Sequence, residues 1–169
     1  MDAYLALMSK RDERRYADRA IPDEVVRRVL DAGRLAGSAR NRQPWRFLVL
    51  EERKLVERVA ATVFVPGNVL GARFVVAIVT RGGPVGFDAG RAAQNMMLAA
   101  WNEGVVSCPN GMPDEERTAE ALGLDAEERP MIVLSFGYPA KPRDPEARAP
   151  EEWSRRAQRK PLDEVVRRL

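Results

Sequence analysis

Apolar positions along the chain switch between helical and strand periods, and the switches predict helices interleaved with short strands. Tyr4, Leu5, Leu7 and Met8 give one apolar side to a short helix over residues 2–9. Ile21-Pro22-Asp23-Glu24 reads as a helix start, with proline early and acids in the first turn. Val25, Val26, Val29, Leu30 and Ala32 carry that helix to about residue 35, and residues 37–41 end it as a loop. Residues 45–50 predict a strand, 52–63 a helix, and Pro66-Gly67-Asn68 a turn. The unbroken run Phe74-Val75-Val76-Ala77-Ile78-Val79 predicts a strand buried on both faces, broken by Gly82-Gly83-Pro84. An apolar helix follows over 87–103, carrying Ala92, Ala93, Met96, Met97, Ala99 and Ala100, with Gly104 as its stop. A short strand at 105–108, a helix at 113–123 and an apolar strand at 131–138 come next. Residues 139–158 are rich in proline and charge and read as an extended arm or loop, and 161–169 as a final helix. Helices alternating with at least three strands give an α/β or α+β class, with helices packed on a sheet. No internal repeat is present.

A chain of 169 residues suits one compact domain, 1–169, with residues 139–169 as an extended C-terminal arm. No run of about 18 apolar residues occurs, so no membrane span is expected. Met1-Asp2-Ala3-Tyr4-Leu5 shows no basic region before an apolar stretch, so no signal peptide is expected either. Cys108 is the only cysteine, which removes intrachain disulfides and fits a reducing cytoplasm. The absence of histidine removes imidazole metal sites, Ser-His-Asp and Cys-His catalysis, and the commonest general base. A metal would need carboxylates alone, and no compact acidic constellation suggests one. Any enzyme here rests on a cofactor or on carboxylates. The net charge of +3 balances 28 basic against 25 acidic side chains, which disfavours a nucleic-acid binder.

Four stretches could carry chemistry. Ser38-Ala39-Arg40-Asn41-Arg42-Gln43-Pro44-Trp45-Arg46-Phe47 is a polar loop entering a strand. Its hydroxyl and amides can donate and accept, a set that suits a heteroaromatic edge or a ribityl chain. Read alone, it equally suits a loop that satisfies its own backbone. Gln43, preceding Pro44, is expected to be extended. Lys10-Arg11-Asp12-Glu13-Arg14-Arg15-Tyr16 and Arg155-Arg156-Ala157-Gln158-Arg159-Lys160-Pro161-Leu162 could each hold a phosphate through charge-assisted bonds, or be solvated basic surface. Residues 86–98 place small side chains on one helix face, as a dimer-forming helix or an Ala-rich core helix would. Gly82-Gly83-Pro84-Val85-Gly86 contains proline and lacks phosphate-loop spacing.

Taken together and in order, residues 10–16, 22–47, 88–100, 107–112, 137–139 and 159–166 resemble the nitroreductase family of FMN-dependent oxidoreductases. The family pattern runs from a basic element through a P-x-E helix ending in S-x-x-N-x-Q-P-W-x-F. It continues with a D-x-G-x-A-x-Q-N helix, a G-Y-P strand end and an R-K-P-L tail. The resemblance covers nearly the whole chain. It implies an α+β fold with a mixed β-sheet flanked by helices, and a homodimer with FMN at each of two interface sites. It places Lys10, Arg11 and Asp12 at the FMN phosphate and ribityl chain, with Arg159 as a C-terminal phosphate ligand. Ser38, Asn41 and Gln43 fall where FMN is contacted, partly from the opposite subunit, and Asn110 and Gly111 on the loop near the flavin ring. NADH or NADPH would be the electron donor, and a small organic molecule such as a nitroaromatic or quinone the acceptor.

Two positions depart from the pattern. Asp12 replaces the usual serine and puts a carboxylate near a phosphate; Gly37 replaces the usual proline. The stretches between Val63 and Phe74, and between Thr80 and Asp88, are short, so the substrate side is expected to be open. Alternatives within the resemblance are a flavin- or deazaflavin-binding protein with a storage, sensing, dehalogenating or flavin-cleaving role.

Overall fold

The structure is a computed structural model that describes residues 1–82 and 85–169. Gly83 and Pro84, on which part of the expected strand break falls, lie outside the described residues. The chain divides into two compact units, Arg11–Pro142, and Met1–Lys10 with Arg143–Leu169.

The larger unit is built on one strand. β2 (Phe74–Arg81) is buried along all but its last residue, as its apolar run predicts. Its alternate side chains feed two cores, because successive strand residues point to opposite faces. Phe74, Val76 and Ile78 join one core; Val75 and Ala77 join the other. β2 lies between β1 (Trp45–Val49) and β4 (Glu128–Gly137), and β4 lies between β2 and β3 (Val106–Asn110), giving the order β1-β2-β4-β3. All three ladders are antiparallel, and Met131 is an extra residue opposite the Ile78–Val79 step. A parallel component enters only as an isolated bridge from Asp12 to Ser107.

α2 (Asp23–Arg34) and α5 (Gly86–Asn102) pack on one face through Val25, Val29, Ala92, Met96 and Ala100. α3 (Arg53–Ala60) and α4 (Pro66–Leu70) cover the other through Val56, Val59 and Val69, with α6 (Glu115–Leu122) adding Ala121 and Leu122. The result is helix, sheet, helix, an α+β architecture. α4 replaces the turn expected at residues 66–68. Pro66 sits at the first turn of a helix, where its missing N–H costs nothing.

The segment after Arg11 runs beside the sheet. Ala17 N–H donates to Tyr138 O at 2.8 Å and Ala140 N–H to Arg15 O at 3.0 Å. Gly137 makes this possible, since a Cβ there would lie 2.7 Å from the Tyr16 ring.

In the second unit, α1 (Ala3–Ser9), capped by Asp2, packs with α7 (Pro150–Arg156). Trp153 Nε1 donates to Pro145 O at 2.8 Å, and the Arg148 guanidinium stacks 5.0 Å from the Trp153 ring centre. Residues 139–158 are therefore not one extended stretch: they hold α7 and a 3-10 turn at Pro145–Ala147. The final helix is a single turn, α8 (Leu162–Val165).

Candidate functional site

The polar loop at 38–43 connects α2 to β1 and holds three of the four left-handed non-glycine residues among the described residues. Ser38 is extended, and a 3-10 turn follows at Ala39–Asn41. Arg40, Asn41 and Gln43 have φ of +53°, +54° and +48°. Asn tolerates the left-handed region; Arg and Gln do so at a cost of order 1–3 kcal/mol each. Gln43 is thus not extended, contrary to the expectation from Pro44. Its N–H is captured by Ser38 Oγ at 2.9 Å, which curls the loop back on itself before the strand begins. At the other end, Ala39 N–H donates to Asp88 Oδ2 at 3.1 Å.

The three candidate side chains here remain open to a ligand. Ser38 Oγ accepts from Gln43 and keeps its own proton to donate. Asn41 and Gln43 are exposed, and the Gln43 amide makes only a long 3.5 Å contact to Asn41 O. Gln43 also borders a groove of about 670 Å³ between α2 and β1, walled by Val26, Leu30, Trp45 and Phe47. Gly37, which replaces a proline of the family pattern, lies against Arg91: a Cβ at 37 would sit 2.5 Å from its Nη2.

The second cluster lies at the end of β3. Asn110 is buried, and its side-chain amide donates to Cys108 O at 3.0 Å, Val133 O at 3.1 Å and Ser135 Oγ at 3.0 Å. The Tyr16 hydroxyl meets the same Ser135 oxygen at 2.9 Å, and burial pushes that phenol well above its ordinary pKa. The Asn110 amide therefore belongs to the sheet. Its Oδ1, with Ser107 Oγ, is buried without a hydrogen-bond partner among the described residues. Gly111 is exposed, and its carbonyl accepts from Phe64 N–H at 3.1 Å while the Phe64 ring lies over its α-carbon. Phe64 itself is 70% exposed.

Asp12 is exposed and Arg11 half-buried, alongside β3 through the Asp12–Ser107 bridge. In the smaller unit, Lys10 closes α1, its N–H bonded to Ala6 O, and Arg159 is exposed with Nη1 3.4 Å from Ala157 O. The structure thus gathers Ser38, Asn41 and Gln43 on one loop, puts Asn110 and Gly111 at the end of β3, and brings Asp12 alongside Ser107 near the start of that strand. The loop leads into β1 and Gly111 follows β3, the two opposite edges of the sheet. Three strand spacings, on the order of 14 Å, separate those edges. Two residues escaped the sequence reading. Asp88 was seen only as part of a helix, although an acid opening an apolar helix was a signal. Phe64 carried none, being one apolar residue beside a helix end.

Matched against known proteins, residues 7–81 and 86–138 fit the model of the nitroreductase family, so the fold belongs to a class of oxidoreductases. The chain is a member of that family. A protein of Archaeoglobus fulgidus, provisionally named NADH dehydrogenase/NAD(P)H nitroreductase, is 33% identical over 82% of this chain and 86% of its own. A counterpart with the same provisional name from Methanothermobacter thermautotrophicus is 30% identical over 83% of this chain and 79% of its own. A crystallised nitroreductase homologue from Desulfovibrio desulfuricans in complex with FMN is 29% identical. It covers 98% of this chain and 96% of its own, with a TM-score of 0.82. A nitroreductase family protein from Clostridium difficile 630 shares the fold at a TM-score of 0.83, with 24% identity over 99% of this chain and 98% of its own.

Proposed function

We propose that this chain is an FMN-dependent oxidoreductase that acts as a homodimer, taking electrons from NADH or NADPH and passing them to a small organic acceptor such as a nitroaromatic or a quinone. The observation that carries this reading is the 38–43 loop. Arg40, Asn41 and Gln43 are strained, and the loop they shape exposes the Asn41 and Gln43 carboxamides beside the Ser38 hydroxyl, in a chain 29% identical to a protein crystallised with FMN.

The donor set fits the group. Ser38, Asn41 and Gln43 offer donors and acceptors to a ribityl chain and to the polar edge of a ring system. The unpartnered Asn110 Oδ1 supplies a buried acceptor next to Gly111. Arg11 in the larger unit, and Lys10 and Arg159 in the smaller, are each proposed as cations for the phosphate. When bound, FMN supplies the two-electron chemistry, which matches a chain without histidine. The protein's part is to hold, orient and exclude water.

Opposite sheet edges carry the two clusters of the larger unit, which supports a site completed by a second copy. The apolar groove between α2 and β1 and the exposed Leu162, Val165, Val166 and Leu169 are further surface that a second copy would bury. Among the described residues no helix is long and apolar enough to cross a membrane. A cytoplasmic setting is proposed from the single free thiol of Cys108.

The test is an absorbance spectrum of the purified protein, with mass measurement of the released cofactor and light scattering for the assembly. Flavin absorption, FMN mass and a dimer are expected. A colourless protein that gains no flavin absorption on adding FMN overturns the reading. Anaerobic mixing with NADH and NADPH should bleach the flavin; bleaching by neither would leave a flavin-binding protein without turnover.

A further inference from the structure

Three left-handed non-glycine residues within four positions persist only where their surroundings over-determine them. Hydrogen bonds do this at 38–43. Three are internal: Gln43 N–H to Ser38 Oγ, Asn41 N–H to Ser38 O and Arg42 N–H to Ala39 O. Another comes from outside the loop, from Ala39 N–H to Asp88 Oδ2 at 3.1 Å.

Asp88 is 7% exposed and sits in the first turn of α5. Among the described residues it has no ion pair. A buried carboxylate is costly to keep unless hydrogen bonds satisfy it. Capping its own helix does not account for it, since the N-cap of α5 is Val85 and no side chain caps it. What the carboxylate gains is the loop amide and the positive end of α5. That helix is itself immobilised against α2 and the sheet by Ala89, Ala92, Ala93 and Met96, so Asp88 is a fixed point.

We propose that Asp88 is the positioning residue of the ligand-contacting loop. Its carboxylate holds Ala39 N–H and so fixes residues 38–43 in the strained shape that presents Ser38, Asn41 and Gln43. This rests on the reading that the loop contacts FMN. Affinity for FMN is then set partly from α5, by a residue that does not touch the ligand. The acceptor oxygen is what matters, so Asp88→Asn, which keeps one, rescues what Asp88→Ala loses.

The experiment compares wild type, D88N and D88A in two measurements. Hydrogen–deuterium exchange of the apo proteins reads the loop directly. Uptake over residues 38–43 should rise in D88A and stay near wild type in D88N, with α2 and α5 unchanged. FMN titration followed by flavin fluorescence should give a dissociation constant raised about tenfold in D88A and less than about threefold in D88N. Unchanged loop uptake in D88A, or D88N behaving as D88A does, overturns the proposal. So does uptake that rises across α2 and α5 as well, which would make Asp88 a residue of the fold at large. If wild type binds no FMN, the functional reading falls, while the exchange comparison still decides whether Asp88 holds the loop.

Discussion

The Tyr16 hydroxyl lies 2.9 Å from Ser135 Oγ, under a ring that rests on the α-carbon of Gly137. This pairing ties the segment after Arg11 to β4 and sits beside Asn110, whose amide bonds the same serine. Tyr16→Phe should cost about 0.5–1.5 kcal/mol, the net worth of one hydrogen bond. Gly137→Ala should cost about 1–3 kcal/mol, because the new methyl meets ring carbons held from both sides. Urea unfolding of both variants and of the pair Tyr16→Ala with Gly137→Ala checks the coupling. The alanine at 137 should cost less once the ring is gone.

Burial raises the Tyr16 pKa above its ordinary value, with the Ser135 hydrogen bond opposing only in part. The folded protein therefore favours the neutral phenol. The stability it contributes is fully present below the unfolded pKa of about 10 and is lost as pH climbs from there toward the folded value. Wild type should lose stability above about pH 10, and Tyr16→Phe should lose less over the same interval. Thermal melts at stepped alkaline pH, with tyrosinate absorbance as a second signal, decide this.

Gly37 is not required by backbone conformation, and the three nearest atoms that a Cβ there would meet belong to the Arg91 guanidinium. Arg91 can swing away at little cost. Gly37→Ala should change stability by no more than about 0.5 kcal/mol, within the range of surface substitutions. A melting shift of a few degrees or more would show that Arg91 is pinned.

Arg11→Ala and Arg159→Ala should weaken FMN binding while leaving riboflavin binding unchanged, since riboflavin lacks the phosphate. Charge-assisted hydrogen bonds of about 1.5–3 kcal/mol correspond to roughly ten- to hundredfold in the dissociation constant. Fluorescence titration with both flavins measures the ratio. Equal losses for both would place these arginines away from the phosphate.

Much of the fold was legible in the chain. The Phe74–Val79 run gave a strand buried on both faces, and acids after Pro22 and Pro113 marked helix starts. Local signals failed where proline was read as a break. Pro66 and Pro150 open helices instead, because a first-turn proline gives up no hydrogen bond. Of the site, Ser38, Asn41 and Gln43 were legible as residue types, but the left-handed backbone of Gln43 was not. Its conformation depends on a bond to Ser38 and on a loop anchored 49 residues away at Asp88.

The sequence by itself determined which segments bury apolar side chains, and hence helices packed on a sheet, while its ordered motifs marked the resemblance to the nitroreductase family. It also ruled out imidazole chemistry by containing none. Only the tertiary structure decided the strand order β1-β2-β4-β3, which puts the 38–43 loop and Gly111 at opposite edges of one sheet. It alone turned the Asn110 amide into the sheet and the Asp88 carboxylate toward Ala39. The reason is physical: burial and helix period are properties of neighbouring residues, whereas pairing partners and strained loops are settled by contacts between residues far apart in the chain.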